Sequence, residues 1–179
     1  MKSTLLNIAF LCLLAWGSWA QDQQFTQFYS VPTAVSPAFA GASVQSRVSM
    51  QYRNQWAAIP GGFTSGNITF DQFMPNISSG IGMLVNYDQA GSGALRSTTV
   101  AVQYAYEARI KRNLFFRPAL QLGYGQSMID FSKLTFYDQM IREGADVSLE
   151  AGTIRPVNYY DMGAGMLLYS PKVWIGASA

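Results

Sequence analysis

Residues 44 to 52, VQSRVSMQY, alternate strictly between apolar and polar side chains. Successive side chains of a strand point to opposite faces, so Val44, Ser46, Val48, Met50 and Tyr52 share one face while Gln45, Arg47, Ser49 and Gln51 share the other. A second alternating strand follows at the end of the connection YRNQWAAIPGG, and the pattern returns at 80–88, where Ile81, Met83, Val85 and Tyr87 stand against Gly82, Leu84, Asn86 and Asp88. At 98–109, Val100, Val102, Tyr104 and Tyr106 oppose Gln103, Glu107 and Arg109. At 115–128, Phe116, Leu120, Leu122, Tyr124 and Met128 oppose Arg117, Gln121, Gly123, Gly125 and Ser127. Further strands are predicted at 159–169 and from Val173.

These runs are long. A tilted strand of about 9–11 residues crosses a bilayer, whereas strands of soluble proteins are nearer 5–6. An apolar face turned to lipid, a polar face turned to a lumen and tyrosines near the strand ends define a transmembrane barrel. Tyr52, Tyr87, Tyr104, Tyr106, Tyr124, Tyr160 and Tyr169 fit such a girdle. The expected fold class is therefore all-β, an antiparallel transmembrane β-barrel of outer-membrane type.

Composition agrees. The 179 residues are 49% hydrophobic, 14% aromatic and 12% charged, against about 25% charge in soluble domains. After the first twenty residues no apolar stretch approaches the roughly 18 needed for a spanning helix, so a membrane reading must be a β reading. Residues 1–20 read as an export signal: Lys2 is the positive start, Leu5 to Trp16 the apolar run, and Ser18 and Ala20 the small residues before Gln21. Cys12 lies inside that run after the bulky Leu11, which argues against lipidation, and the processed chain would hold no cysteine. With Lys2 gone the charge is close to neutral, so no nucleic-acid footprint is expected.

The connections alternate in length. MPNISS (74–79) and KRN (111–113) read as tight turns, while 131–158 is long and aperiodic. Barrels of this type have short periplasmic turns and long outer loops, so YRNQWAAIPGG, DQAGSGALRS and 131–158 are expected on the outer side.

The segments QDQQFTQFYSVPTAVSPAFAG (21–41), YRNQW (52–56) with Pro60 and Phe63 following, FDQFM (70–74) and GIGMLVNYDQAG (80–91) resemble, in their order and spacing, the PorP/SprF family of type IX secretion system outer-membrane proteins of Bacteroidetes. The resemblance spans essentially all of the chain after the signal. It implies an outer-membrane protein without catalysis or cofactor, in contact with outer-membrane lipid, that works with the type IX translocon and the gliding apparatus. Its implied partners are a large secreted surface adhesin carrying a type IX signal domain, and periplasmic ring and lipoprotein components. The family usually has asparagine where this chain has Ser36; serine also accepts a turn-forming hydrogen bond, so a similar turn is expected. The resemblance implies a barrel with many more strands than the about seven counted here. The organisation expected is thus a signal peptide (1–20), an N-terminal arm (21–43) and a partial barrel (44–179), the N-terminal half of the family's domain. Half a barrel leaves two edges of unpaired backbone, so these residues alone are not expected to make a stable membrane protein.

Candidate contacts for a partner are Arg53, Gln55 and Trp56, where the first strand leaves the membrane, and Phe136, Tyr137 and Arg142 in the long loop. An arginine beside a tryptophan stacks or grips a carboxylate, as interface anchors do. The plainer alternative makes Trp56 a girdle residue and pairs Arg53 with a lumenal acid such as Asp71. The long loop likewise reads either as a recognition element or as solvated surface. The arm, with Phe25, Phe28, Tyr29, Phe39, Pro32 and Pro37, shows no period and reads as packed in the lumen or as a periplasmic contact.

An enzyme is disfavoured by inventory. The chain has no histidine and no cysteine after the signal, and its acids Asp71, Asp88 and Asp161 have no nucleophile and base beside them. A passive porin is the main alternative to a secretion component. A soluble sandwich would have to place Arg47, Gln51, Gln103, Glu107, Arg117 and Gln121 in a dry core.

Overall fold

The computed structural model describes residues 25, 27–43, 45–59, 61–91, 94–134 and 156–179. The signal segment 1–20 and the loop residues Phe136, Tyr137 and Arg142 lie outside them. The strands are β1 (Arg47–Gln55), β2 (Phe63–Met74), β3 (Ser79–Ala90), β4 (Leu95–Tyr106), β5 (Ala108–Lys111), β6 (Leu114–Ile129), β7 (Val157–Tyr169) and β8 (Trp174–Ser178). They form one curled antiparallel sheet in the order β1-β2-β3-β4-β6-β7-β8. The seven-strand path matches the periodicity count, and β1 is shifted three residues from the expected start.

The extra piece, β5, has a covalent cause. Ala105 pairs with Ala119 and Ala108 with Phe116 in unbroken register, so the gap at Tyr106 and Glu107 falls opposite Pro118 and Arg117. Proline contributes no N–H to a ladder. Glu107 instead donates its backbone N–H to Ser78 O of the β2–β3 turn at 2.8 Å. That turn is closed by Ser78 in the left-handed region, φ 48°.

Each strand keeps its two faces. Val48 and Met50 are both 72% exposed, with Val102, Leu120, Leu122 and Met162 also projecting outward, while Gln103, Arg117, Asn67, Thr69 and Asp71 on the opposite face are almost inaccessible. This inversion of the soluble rule is what a lipid-facing wall requires. Tyr104 turns its hydroxyl back to Ser79 Oγ at 2.8 Å, which partners a fully buried hydroxyl. Tyr169 departs from the girdle expectation. It shares the inward parity of Gly165 and Leu167, stacks on Phe115 with centroids 5.2 Å apart, and bonds Glu107.

What buries the inward face is the segment before β1. It consists of a 3-10 turn Phe28–Ser30, a single helical turn α1 (Pro32–Val35) with proline at its first position, and a second 3-10 turn Pro37–Phe39. Ser36 accepts from Ala38 N at 3.3 Å and caps that second turn, the role expected of it. Ala38 and Ala40 are fully buried against Ala105, Ala119 and Leu167. The core is built from alanine because two backbones meet. A Cβ on Gly80 would lie 1.9 Å from Ala40 O, and Gly41, at φ +65°, sits against Gly80 and Gln72.

Candidate interaction surfaces: the arm groove and the loop-end mouth

Along the inward face, long polar side chains reach up from the strands and grip the arm by its main chain. Arg117, 2% exposed on β6, donates to Ala40 O at 2.5 Å and to Gly41 O at 3.5 Å. Its charge is matched by Glu107 at 3.6 Å, and Glu107 also accepts from Tyr169 Oη at 2.6 Å. Phe73 lies 6.0 Å beneath the guanidinium. On β2 the fully buried Asp71 accepts from Gly41 N at 3.2 Å and from Arg47 Nε at 2.8 Å. Gln103 on β4 donates to Thr33 O at 2.8 Å and to Gln121 Oε1 at 2.7 Å. At the two outer strands Gln51 donates to Gln27 O and Ser30 Oγ, both at 2.8 Å, and Ser178 donates to Val35 O at 3.4 Å. Buried charges are tolerated when they are paired and hydrogen-bonded; here each charged side chain has an opposite charge within 4 Å and at least one hydrogen bond, although Arg47 Nη2 and Arg117 Nε stay buried without a partner.

Above the arm the same face continues as cross-strand polar pairs. Ser65 bonds Asp88, Asn67 bonds Asn86, and Tyr159 Oη meets Thr99 Oγ1 at 3.0 Å, while on the outer face Gln126 donates to Asn158 at 3.0 Å. Beside α1 a cleft of about 280 Å³ runs between Thr33, Pro37, Gln121, Asp161 and Ser178. Among the described residues no group of three or more His, Cys, Asp or Glu is arranged to hold a metal.

The β1–β2 connection forms part of the mouth at the other end of the sheet. Arg53 pairs across the ladder with Ser65 and donates from Nη2 to Gln55 Oε1 at 2.7 Å. The pairing of Arg53 with Asp71 does not occur. In the β1–β2 register Asp71 faces Arg47, six residues from Arg53, and strand register is not written in the alternation alone. Trp56 takes φ 58°, accepts from Ile59 N at 2.9 Å to close the turn, and sets its ring edge-to-face on Phe63 with centroids 5.4 Å apart. Trp56 nonetheless remains 58% exposed and the neighbouring Ile59 60%. The structure therefore brings Arg53 and Gln55 together and places Trp56 on Phe63. The gripping residues Gln103, Arg117 and Asp71 were visible in the sequence only as polar positions within strands, with nothing to indicate that they bind main chain.

A long-stranded antiparallel sheet, apolar outside and polar inside, defines the wall of a membrane β-barrel. The chain belongs to the family described as Type IX secretion system membrane protein PorP/SprF, which it matches over residues 18–179. Membership makes it a membrane component of a type IX secretion system. Neither the curated proteins nor the solved structures yield a significant match to it.

Proposed function

We propose that this protein sits in the outer membrane and anchors, or assists the export of, a large surface protein delivered by the type IX machinery. The observation that carries the proposal is the family match across residues 18–179, arm included. The fold is compatible with it, since strands of 12 to 16 residues in β2, β3, β4 and β6 with apolar outer faces suit a bilayer. Arg53, Gln55 and Trp56 at the mouth, with Phe136, Tyr137 and Arg142 of the long loop, are the proposed contacts for the secreted adhesin. The translocon and the periplasmic ring and lipoprotein components are the proposed partners on the machinery side. An export signal at residues 1–20 fits the same route. The passive-porin alternative gains no support from an inward face occupied by the arm.

The test is a pull-down from outer membranes with an affinity tag near Gly144, read by mass spectrometry. Co-recovery of a large surface protein together with translocon components is the expected result. Recovery of this protein alone, in a form that swells liposomes, refutes the proposal.

A further inference from the structure

We infer that residues 28–41 are a fixed plug, closing the barrel interior towards the end of the sheet that carries the short turns. The arm spans the concave face. Its polar contacts run from Gln51 on β1, through Asp71 on β2, Gln103 on β4 and Arg117 on β6, to Ser178 on β8, so both outer strands of the sheet are tied to it. Val31, Thr33, Ala38 and Ala40 are 2% exposed or less although none of them belongs to a strand. A path for solute along this face meets the arm backbone lying directly on Gly80, where a Cβ would fall 1.9 Å from Ala40 O, and arm side chains against Gly82 (Ala40 Cβ) and Gly165 (Ser36 Oγ and the Pro37 ring).

The manner of attachment separates a plug from a loose tail. Arg117 and Asp71 hold adjoining groups of one peptide segment, Ala40 O and Gly41 O by donation and Gly41 N by acceptance. Each of these charged groups is itself paired within the wall, to Glu107 and to Arg47. Releasing the arm strands two buried charged side chains without their arm partners, which favours a closed resting state. The inference does not depend on which secreted protein is anchored, nor on whether any is.

The experiment uses the full gene product purified from outer membranes, with Cys12→Ser and the pair Ser36→Cys and Gly165→Cys. A Cβ on residue 165 would lie 2.8 Å from the Oγ of Ser36, near enough for a disulfide to form with little movement. Planar-bilayer recordings are made of the parent protein, the oxidised pair and the pair combined with Gly80→Val, whose side chain needs the space of Ala40 O. The expected result is rapid cross-linking, closed baselines for the parent and the oxidised pair, and steady current with loss of cross-linking in the Gly80→Val protein. The inference is overturned if the oxidised pair conducts, if both cysteines label with maleimide without bridging, or if Gly80→Val frees the arm and stays closed. Should Gly80→Val not fold, the oxidised pair decides: a closed baseline upholds the plug and a current overturns it.

Discussion

Asp71 offers the sharpest test of the interior, because two different arginines compete for it on paper and only one in the fold. Its carboxylate is fully buried and accepts from Arg47 Nε at 2.8 Å and from Gly41 N at 3.2 Å. Breaking a wholly buried ion pair by deleting one partner costs about 3–5 kcal/mol, and an exposed pair about 0.2–1. The Arg47 side chain retains 30% of its exposure, so part of its charge is still solvated when Asp71 is lost. That places Asp71→Ala between the two limits, near about 2–3 kcal/mol, including the orphaned Gly41 N–H. A double-mutant cycle of Asp71→Ala with Arg47→Ala should then show a coupling of about 1–2 kcal/mol. The corresponding cycle with Arg53→Ala should be additive within about 0.5 kcal/mol, because six strand residues at about 3.4 Å each separate the pair. The assay is urea unfolding of the protein in lipid vesicles, followed by tryptophan fluorescence and by heat-modifiable migration. A coupling with Arg53 equal to or above that with Arg47 would refute the register and with it the description of the groove.

On the outer face, Leu122→Arg is expected to destabilise by about 2–4 kcal/mol in a bilayer, whereas Thr99→Arg on the inner face should cost clearly less in the same vesicle titration. Tyr169→Phe removes one hydrogen bond to a charged acceptor and should cost about 1.5–3 kcal/mol; a midpoint unchanged from the parent would show that the contact with Glu107 contributes nothing. For Ser36→Ala the 3.3 Å cap bond is long, so a loss of about 0.5–1 kcal/mol is expected, together with faster proteolysis before Ala38. Trp56→Ala should leave the unfolding midpoint nearly unchanged, since most of the residue is exposed, while lowering recovery of the secreted protein in the tagged pull-down.

The strands were legible because lipid imposes a rule that survives in composition. Val48, Met50 and Tyr52 must be apolar wherever the sheet curls, so the alternation in VQSRVSMQY carries its own interpretation. The turn at 75–78 and the hairpin after Lys111 were equally local, set by Pro75 and by the polar Arg112–Asn113. The break opposite Pro118 was hidden, because its effect falls on a neighbouring strand twelve residues earlier in the chain. Tyr169 was misassigned for a related reason. Counting aromatics near strand ends ignores parity, and parity puts it on the face of Leu167. The seat of the arm was beyond reach of pattern reading. Its recognition runs through Ala40 O, Gly41 N and Thr33 O, groups that every residue possesses and no sequence distinguishes.

That last property shapes how the arm tolerates change. A groove that grips carbonyls and amides reads little of the segment's side-chain chemistry beyond the Ser36 cap and is strict about volume where chain lies on chain, at Ala38, Ala40 and Gly41. Saturation mutagenesis there should sort by size, with serine accepted and leucine rejected at Ala40. At Phe28, Tyr29 and Val35, which look away from the sheet, substitutions of many kinds should pass. Divergence among arms of this sort would be wide in chemistry and narrow in bulk, so that two chains with little in common across this segment still seat it in the same way.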